Sequence, residues 1–203
     1  MTEADGHLPP DNFQEDPVGV TARRTSPTNM GLYLLSAVAA RDFGWSGLLR
    51  TTERLELTLA AMAALPKFKG HFYNWYGTED GRVLEPVYVS SVDSGNLAGH
   101  LIAVANACEG WAQDATPGDI RTGLLDTLHL ARMAPGATAA PLGDLLDEIE
   151  AGLLAPVAGD PGWLALQRLA SKARAAVPAG DGMTEAQLWL DALHRELGQH
   201  AQD

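Results

Sequence analysis

Two short stretches hold residue types that can do chemistry together. His71-Phe72-Tyr73-Asn74-Trp75-Tyr76 sets four aromatic rings around one amide, and VSSVDSGN, from Val89 to Asn96, gathers hydroxyls, a carboxylate and a second amide ahead of an apolar run. A saccharide needs both kinds of partner. Aromatic rings cover the C–H faces of a pyranose, and short polar side chains bind its hydroxyls. On this reading Trp75 and Tyr73 stack on sugar rings, while alternation along the chain offers Phe72 and Tyr76 as the other inward pair. Asn74, Asp93, Ser94 and Asn96 then bind hydroxyls. A plainer reading stands beside it. Tyr and Trp are often core side chains with a satisfied polar tip, and SSVDSGN can be a helix start with Asp93 as its cap.

Few other residues compete for a role. Arg24, in ARRTSP, can pair with Glu15 or Asp93 and hold two loops together, since its planar fork suits a carboxylate; otherwise it is a solvated charge. Glu15 is the one nearby carboxylate with a conceivable catalytic role, and it is a weak candidate. The six histidines, at 7, 71, 100, 129, 194 and 200, form no His-Glu-x-x-His pair. Neither a metal nor a cofactor is expected. The single cysteine, Cys108, rules out an internal disulfide and is expected as a small buried hydrophobe in a helix; His100 is expected as a satisfied histidine on the same helix. A net charge of −12 argues against nucleic acid, which needs a basic surface. No apolar run is long enough for a bilayer. The acidic, polar start is neither a secretory nor a transit peptide, so the chain by itself reads as soluble and intracellular.

These residues must be placed by a mostly helical chain. Residues 1–26 contain Pro9, Pro10 and Pro17 and no helical period, so an irregular leading segment is expected. Phe13 would anchor it, and Asp11, Asn12, Gln14 and Glu15 could lie against a pocket. Ser26 and Pro27 read as the cap and first turn of a helix running to about Phe43 and stopping at Gly44. It is apolar nearly all round, apart from a polar stripe of Ser26, Asn29, Tyr33 and Ser36. A second, amphipathic helix spans Gly47 to Leu65, capped by Ser46 and closed by Pro66. A turn is expected at Thr78-Glu79-Asp80-Gly81. The third helix runs from about Asp93 to Gly110, with Asp93, Asn96 and His100 on one face and Leu97, Leu101, Val104 and Cys108 on the next. Beyond Trp111 the only aromatic residues are Trp163 and Trp189. Helices are expected there at about 118–134, 140–154, 161–176 and 183–200, broken at Pro135-Gly136, at 159–161 and at 178–182. There is no internal repeat and no heptad seam.

The wording of residues 8 to 108 is familiar. LPPDNFQEDP, ARRTSPTNMGLYLLSAVAARDFGW, GHFYNWYGT and YVSSVDSGNLAGHLIAVANAC, in that order, closely resemble the glycoamylase-like middle region of cyclic β-1,2-glucan synthases, large bacterial inner-membrane proteins. The likeness covers about half of the chain; residues 112–203 resemble the helical stretch that follows only loosely. The resemblance implies an all-α fold, the first part of an (α/α)6 barrel of alternating inner and outer helices. It implies three regions: 1–26 as the leading segment, 27–111 as the partial barrel, and 112–203 as a helical continuation. It also implies a retaining transglycosylase activity that closes linear β-1,2-glucan into a ring, with β-1,2-glucan and the remainder of a parent polypeptide as partners, on the cytoplasmic side of the inner membrane. The substrate would lie where the loops carrying Asn12 to Glu15, Arg24 to Ser26, Phe72 to Tyr76 and Ser91 to Asn96 meet.

The chain departs from that family in one respect. Retaining chemistry needs two carboxyls roughly 5 Å apart, and the family's glutamate-bearing motifs have no counterpart in residues 112–203. No catalytic residue is therefore assigned, and the chain is expected to be a fragment of a larger enzyme. Two alternatives stand open: a non-catalytic carbohydrate-binding module, and a purely structural helical one.

Overall fold

A computed structural model describes residues 3–113, 119–137, 140–155, 162–177 and 183–203. The chain is all-α apart from short ladders. Its helices among the described residues are α1 (Pro27–Asp42), α2 (Leu48–Ala64), α3 (Ser91–Gln113), α4 (Ile120–Met133), α5 (Leu142–Leu154), α6 (Trp163–Ala176) and α7 (Glu185–His200). Among the described residues six two-residue strands pair antiparallel: β1 (Phe13–Gln14) with β2 (Val20–Thr21), β3 (Arg24–Thr25) with β6 (Tyr76–Gly77), and β4 (Lys67–Phe68) with β5 (His71–Phe72). Among the described residues no helix is long and apolar enough to cross a membrane. The breaks expected at 159–161 and 178–182 lie outside the described residues. Two compact units share the chain: Met1–Ala39 with Thr52–Thr116, and Ala40–Thr51 with Pro117–Asp203.

The first unit packs α1, the body of α2 and α3 around Met30, Leu34, Leu55, Met62, Tyr76, Leu97 and Val104. Ser26 caps α1 as its type and position foretell: its Oγ accepts from the Asn29 N–H at 3.2 Å, and Pro27 occupies the first turn without wasting a donor. Gly31 lets α3 approach closely, because a Cβ there would sit 2.3 Å from His100 Nδ1. That ring nitrogen is buried without a hydrogen-bond partner, so His100 is a packing residue and not the satisfied histidine expected.

Three further expectations are corrected in this unit. Phe13 does not anchor the leading segment; it is 59% exposed on the β1–β2 hairpin, and Leu8, 2% exposed, enters the core instead. The Thr58 hydroxyl fastens the same segment by donating to the His7 carbonyl at 3.0 Å. Cys108 is exposed, because Trp111, one turn on, takes the packing position against the core. The polar stripe of α1 does not stay on one wall: Ser36 faces solvent and its hydroxyl donates to the Leu32 carbonyl.

The second unit is a helical bundle with its own core. Leu124 and Leu128 of α4, Leu146, Ile149 and Leu153 of α5, Ala170 and Ala173 of α6, and Leu190, Leu193 and Leu197 of α7 are buried together at helical spacing, the stripe of amphipathic helices. Two of these helices, α4 and α7, have side-chain caps at their N-termini. The Asp119 carboxylate accepts from the Thr122 N–H and hydroxyl, which holds its pKa below the usual value. Thr184 and Gln187 form a reciprocal capping box on α7. Ser46 does not cap α2: its Oγ accepts from the Thr51 hydroxyl at 3.0 Å. The free amides of that helix end are taken by side chains from the end of α7. Asp203 accepts from Leu48 N–H and Leu49 N–H at 2.7 and 3.0 Å, and Gln199 accepts from Gly47 N–H at 3.1 Å.

Candidate functional site

Backbone pairing within the first unit builds the site. The β3–β6 ladder sets Arg24 opposite Gly77 and Thr25 opposite Tyr76, so the leading segment lies beside the aromatic loop. The loop then folds on itself: Leu84 N–H donates to the Trp75 carbonyl at 3.0 Å, and Asn74 N–H to the Tyr88 carbonyl at 2.9 Å. The rings then divide in burial. Tyr76 turns fully inward, 0% exposed; its hydroxyl donates to the Pro66 carbonyl and accepts from the Tyr73 N–H, both at 2.7 Å. Burial raises its phenol pKa, so it stays a neutral donor. Tyr76 is thus a core residue, and its assignment to the sugar site is corrected. Tyr73 is half-buried against the same core. Trp75 is half-buried beside the polar groups described next.

Asn74 is the hub. Buried at 6% exposure, its amide takes the orientation that satisfies every hydrogen bond around it. Its Nδ2 donates to Asp93 Oδ2 at 3.0 Å, while its Oδ1 accepts from Trp75 Nε1 at 2.6 Å and the Tyr88 hydroxyl at 2.7 Å. The other oxygen of Asp93 accepts from the Thr28 hydroxyl at 2.7 Å, and Thr28 Oγ1 accepts from Asn96 Nδ2 at 3.3 Å. One continuous network thus joins the aromatic loop, the first turn of α1 and the first turn of α3.

Asp93 is free to do this because it is not the helix cap. Ser90 is: its Oγ accepts from the Asp93 N–H at 3.1 Å, and α3 begins at Ser91, not at Asp93. Moving the cap three residues upstream turns the Asp93 carboxylate away from the helix end and toward Thr28 and Asn74.

A second cluster adjoins the first. Arg24 pairs with Asp11, and not with Glu15 or Asp93, the two partners expected for it. Its Nε and Nη2 donate to Asp11 Oδ2 at 3.1 and 2.9 Å. Asn29 Nδ2 donates to Asp11 Oδ1 at 3.0 Å. The Arg24 guanidinium lies 4.4 Å above the centre of the Trp75 ring, within cation–π range. Glu15 is exposed and joins none of these contacts; the hairpin carries it outward, and Asp11 occupies the place proposed for it. Ser94 also stands apart. Its hydroxyl is buried without a hydrogen-bond partner, and it lines a separate cavity of about 170 Å³ with Gly70, His71, Phe72, Leu97 and Leu101.

Asp11, Thr28 and Tyr88 were not among the sequence-level candidates. Asp11 stood in the polar set DNFQE, and Thr28 lies next to Asn29 of the polar stripe, so a signal existed for both. Nothing singled out Tyr88, which reaches Asn74 only because the loop doubles back. The arrangement suits binding more than proton transfer. Both carboxylates already accept on each oxygen and keep lone pairs to spare, while Arg24, Tyr88 and Asn96 keep exposed edges where a ligand can reach.

No protein-family model matches the chain. It is 50% identical over 149 residues to the cyclic β-(1,2)-glucan synthase NdvB of Rhizobium meliloti (strain 1021). That alignment covers 73% of this chain and 5% of the relative. The chain is related to that synthase and spans a small part of its length. The aligned length exceeds the 111 residues up to Trp111, so the likeness reaches past the aromatic half expected to carry it and into the second unit.

Proposed function

We propose that the first unit forms part of the glucan-binding wall of a cyclic β-1,2-glucan synthase, in a glycoamylase-like (α/α)6 domain that closes linear β-1,2-glucan into a ring. The observation that carries this reading is the Asn74 hub. A carbohydrate site needs a ring platform and hydroxyl-binding groups held in one frame, and the Asn74 hydrogen bonds to Trp75 and Asp93 tie those two elements together. Trp75 is the platform; Arg24, Tyr88 and Asn96 supply the accessible polar edges. The relationship to a synthase of this product supports the choice of glucan. Neither unit is assigned a catalytic pair, and the acid–base carboxyls belong in this reading to another part of the parent polypeptide.

Isothermal titration calorimetry of the chain with linear β-1,2-gluco-oligosaccharides tests the proposal. Saturable binding is expected, at least tenfold weaker for β-1,4- and β-1,3-linked oligosaccharides of equal length. Absence of heat at millimolar β-1,2-glucan would overturn it and favour the purely structural reading, in which the network only fastens three chain segments.

A further inference from the structure

We infer that Asp11 is the positioning residue of the Trp75 platform, acting through Arg24; this rests on the saccharide reading of the site above. The indole has two faces, and the Arg24 guanidinium covers one of them at 4.4 Å. A sugar therefore has a single face to stack on. Arginine is a long side chain with costly rotamer freedom, and 49% of this one is exposed. Cation–π attraction to one ring at an exposed site is too weak by itself to hold it still. Asp11 supplies the restraint. It accepts from Nε and Nη2 of Arg24 together, and it is itself fixed by Asn29 Nδ2 from the first turn of α1. With its side chain only 17% exposed, the carboxylate is screened little by solvent, so its hold on Arg24 is stronger than that of a free surface pair.

Two consequences for a ligand follow from that geometry. The guanidinium has five N–H donors, and two nitrogens face Asp11. The remaining donors, on Nη1 and the outer side of Nη2, belong to a half-exposed side chain lying over the indole, and can meet hydroxyl or ring oxygens of a neutral pyranose. In this reading the sugar stacks on the opposite face of Trp75, and Arg24 must keep to its own side for that. Asp11 thus sets both the open face and the polar edge of one platform without touching the ligand. The residue comes from the leading segment, which in this reading acts as a clamp on the aromatic loop and not as a tail.

The test is a double-mutant cycle on the whole chain, with affinity for a linear β-1,2-gluco-oligosaccharide and the NMR resonance of Arg24 Nε–H as readouts. The ring current of Trp75 shifts that resonance without any ligand. Asp11→Asn is expected to move it toward the free-arginine position and to weaken glucan binding tenfold or more. Asp11→Glu, which keeps the carboxylate, should recover most of the loss. Arg24→Gln should weaken binding as much as Asp11→Asn does, and adding Asp11→Asn to it should cost nothing further. Arg24→Gln also serves if Asp11→Asn fails to fold, because Asp11→Glu in that background should then leave affinity unchanged. An unmoved Arg24 resonance in Asp11→Asn, or additive losses in the cycle, would overturn the positioning role. A wild-type chain that binds no glucan would overturn the saccharide reading and this role with it, and is told apart by needing no variant at all.

Discussion

The Asn74 amide and the Asp93 carboxylate meet at 3.0 Å, one from an aromatic loop and the other from the first turn of a helix. Each is held from behind. Trp75 and Tyr88 donate to the amide oxygen of Asn74, and Thr28 donates to the far oxygen of Asp93. Replacing Asn74 with Ala therefore strands three polar groups at once, Trp75 Nε1, the Tyr88 hydroxyl and Asp93 Oδ2. Such groups cost about 1–3 kcal/mol each when left unpaired, though water can reach the exposed ones. Asn74→Ala should lower thermal stability by several degrees, and Asp93→Asn, which keeps one acceptor, by clearly less. Equal losses would mean that the hub is not Asn74.

Tyr76 and Trp75 are neighbours in sequence with opposite duties. The Tyr76 hydroxyl bridges Pro66 and Tyr73 inside the core. Tyr76→Phe should cost about 1–3 kcal/mol of stability and leave glucan affinity within twofold of wild type. Chemical denaturation with calorimetry on the same samples separates the two quantities. A large affinity loss at unchanged stability would return Tyr76 to the site.

Gly31 marks the tightest approach between α1 and α3. An alanine Cβ would meet His100 Nδ1 at 2.3 Å and its Cβ at 3.0 Å, so the helices must part. Overpacking of this kind costs about 1–3 kcal/mol, set against a gain of about 1 kcal/mol in helix propensity over glycine. Gly31→Ala alone should destabilise the chain. In a His100→Ala background the ring contacts are gone and only the 3.0 Å contact with Cβ is left, so the same change should cost clearly less, and thermal melts of the four proteins read the difference directly.

Glu196 in α7 gives the second unit a distinct pH dependence. Burial pushes its carboxyl up to about 7, although Thr127, whose hydroxyl donates at 2.8 Å, and Arg195 act in the opposite sense. Below about 4.5, its ordinary value, the proton is held in the folded and unfolded chain alike. Between there and about 7 the unfolded chain releases it first, so this group's contribution falls as pH rises and levels off above 7. Glu196→Gln should match wild type near pH 4.5 and exceed it at pH 8 by on the order of 1–3 kcal/mol. His200 runs the other way: burial lowers its pKa despite the Gly44 carbonyl and Asp203, so its contribution is full above its ordinary value and lost as pH falls. Comparing wild type with Glu196→Gln cancels that term. A difference in melting temperature that does not change between pH 4.5 and 8 would contradict the assignment.

The helices were legible in the sequence because their signals are local. Ser26-Pro27 and Thr184 are caps that need no tertiary partner, and the leucines of α4 to α7 repeat at helical spacing. Residue type places Asn74 and Asp93 only in loops that meet; their pairing depends on the loop doubling back at Gly81, which brings Tyr88 to Asn74. Three misreadings share one cause. By residue type Ser46 reads as a cap, Glu15 or Asp93 as a partner for Arg24, and Phe13 as an anchor. In every case another residue, Asp203, Asp11 or Leu8, meets the need instead. A cap or an ion pair can be filled by any chemically suitable side chain that the fold delivers, and the local pattern does not say which one arrives.

The account stands on Trp75 and Asn74 being where a glucan docks. The most direct test is the indole N–H resonance of Trp75, whose proton is donated to Asn74, followed during titration with a linear β-1,2-gluco-oligosaccharide. The account predicts a saturable shift of that resonance and of the Asn74 side-chain amide, with the indole signals of Trp163 and Trp189 unmoved. A Trp75 signal that stays in place at millimolar sugar, or one that moves no more than those of Trp163 and Trp189, would contradict it.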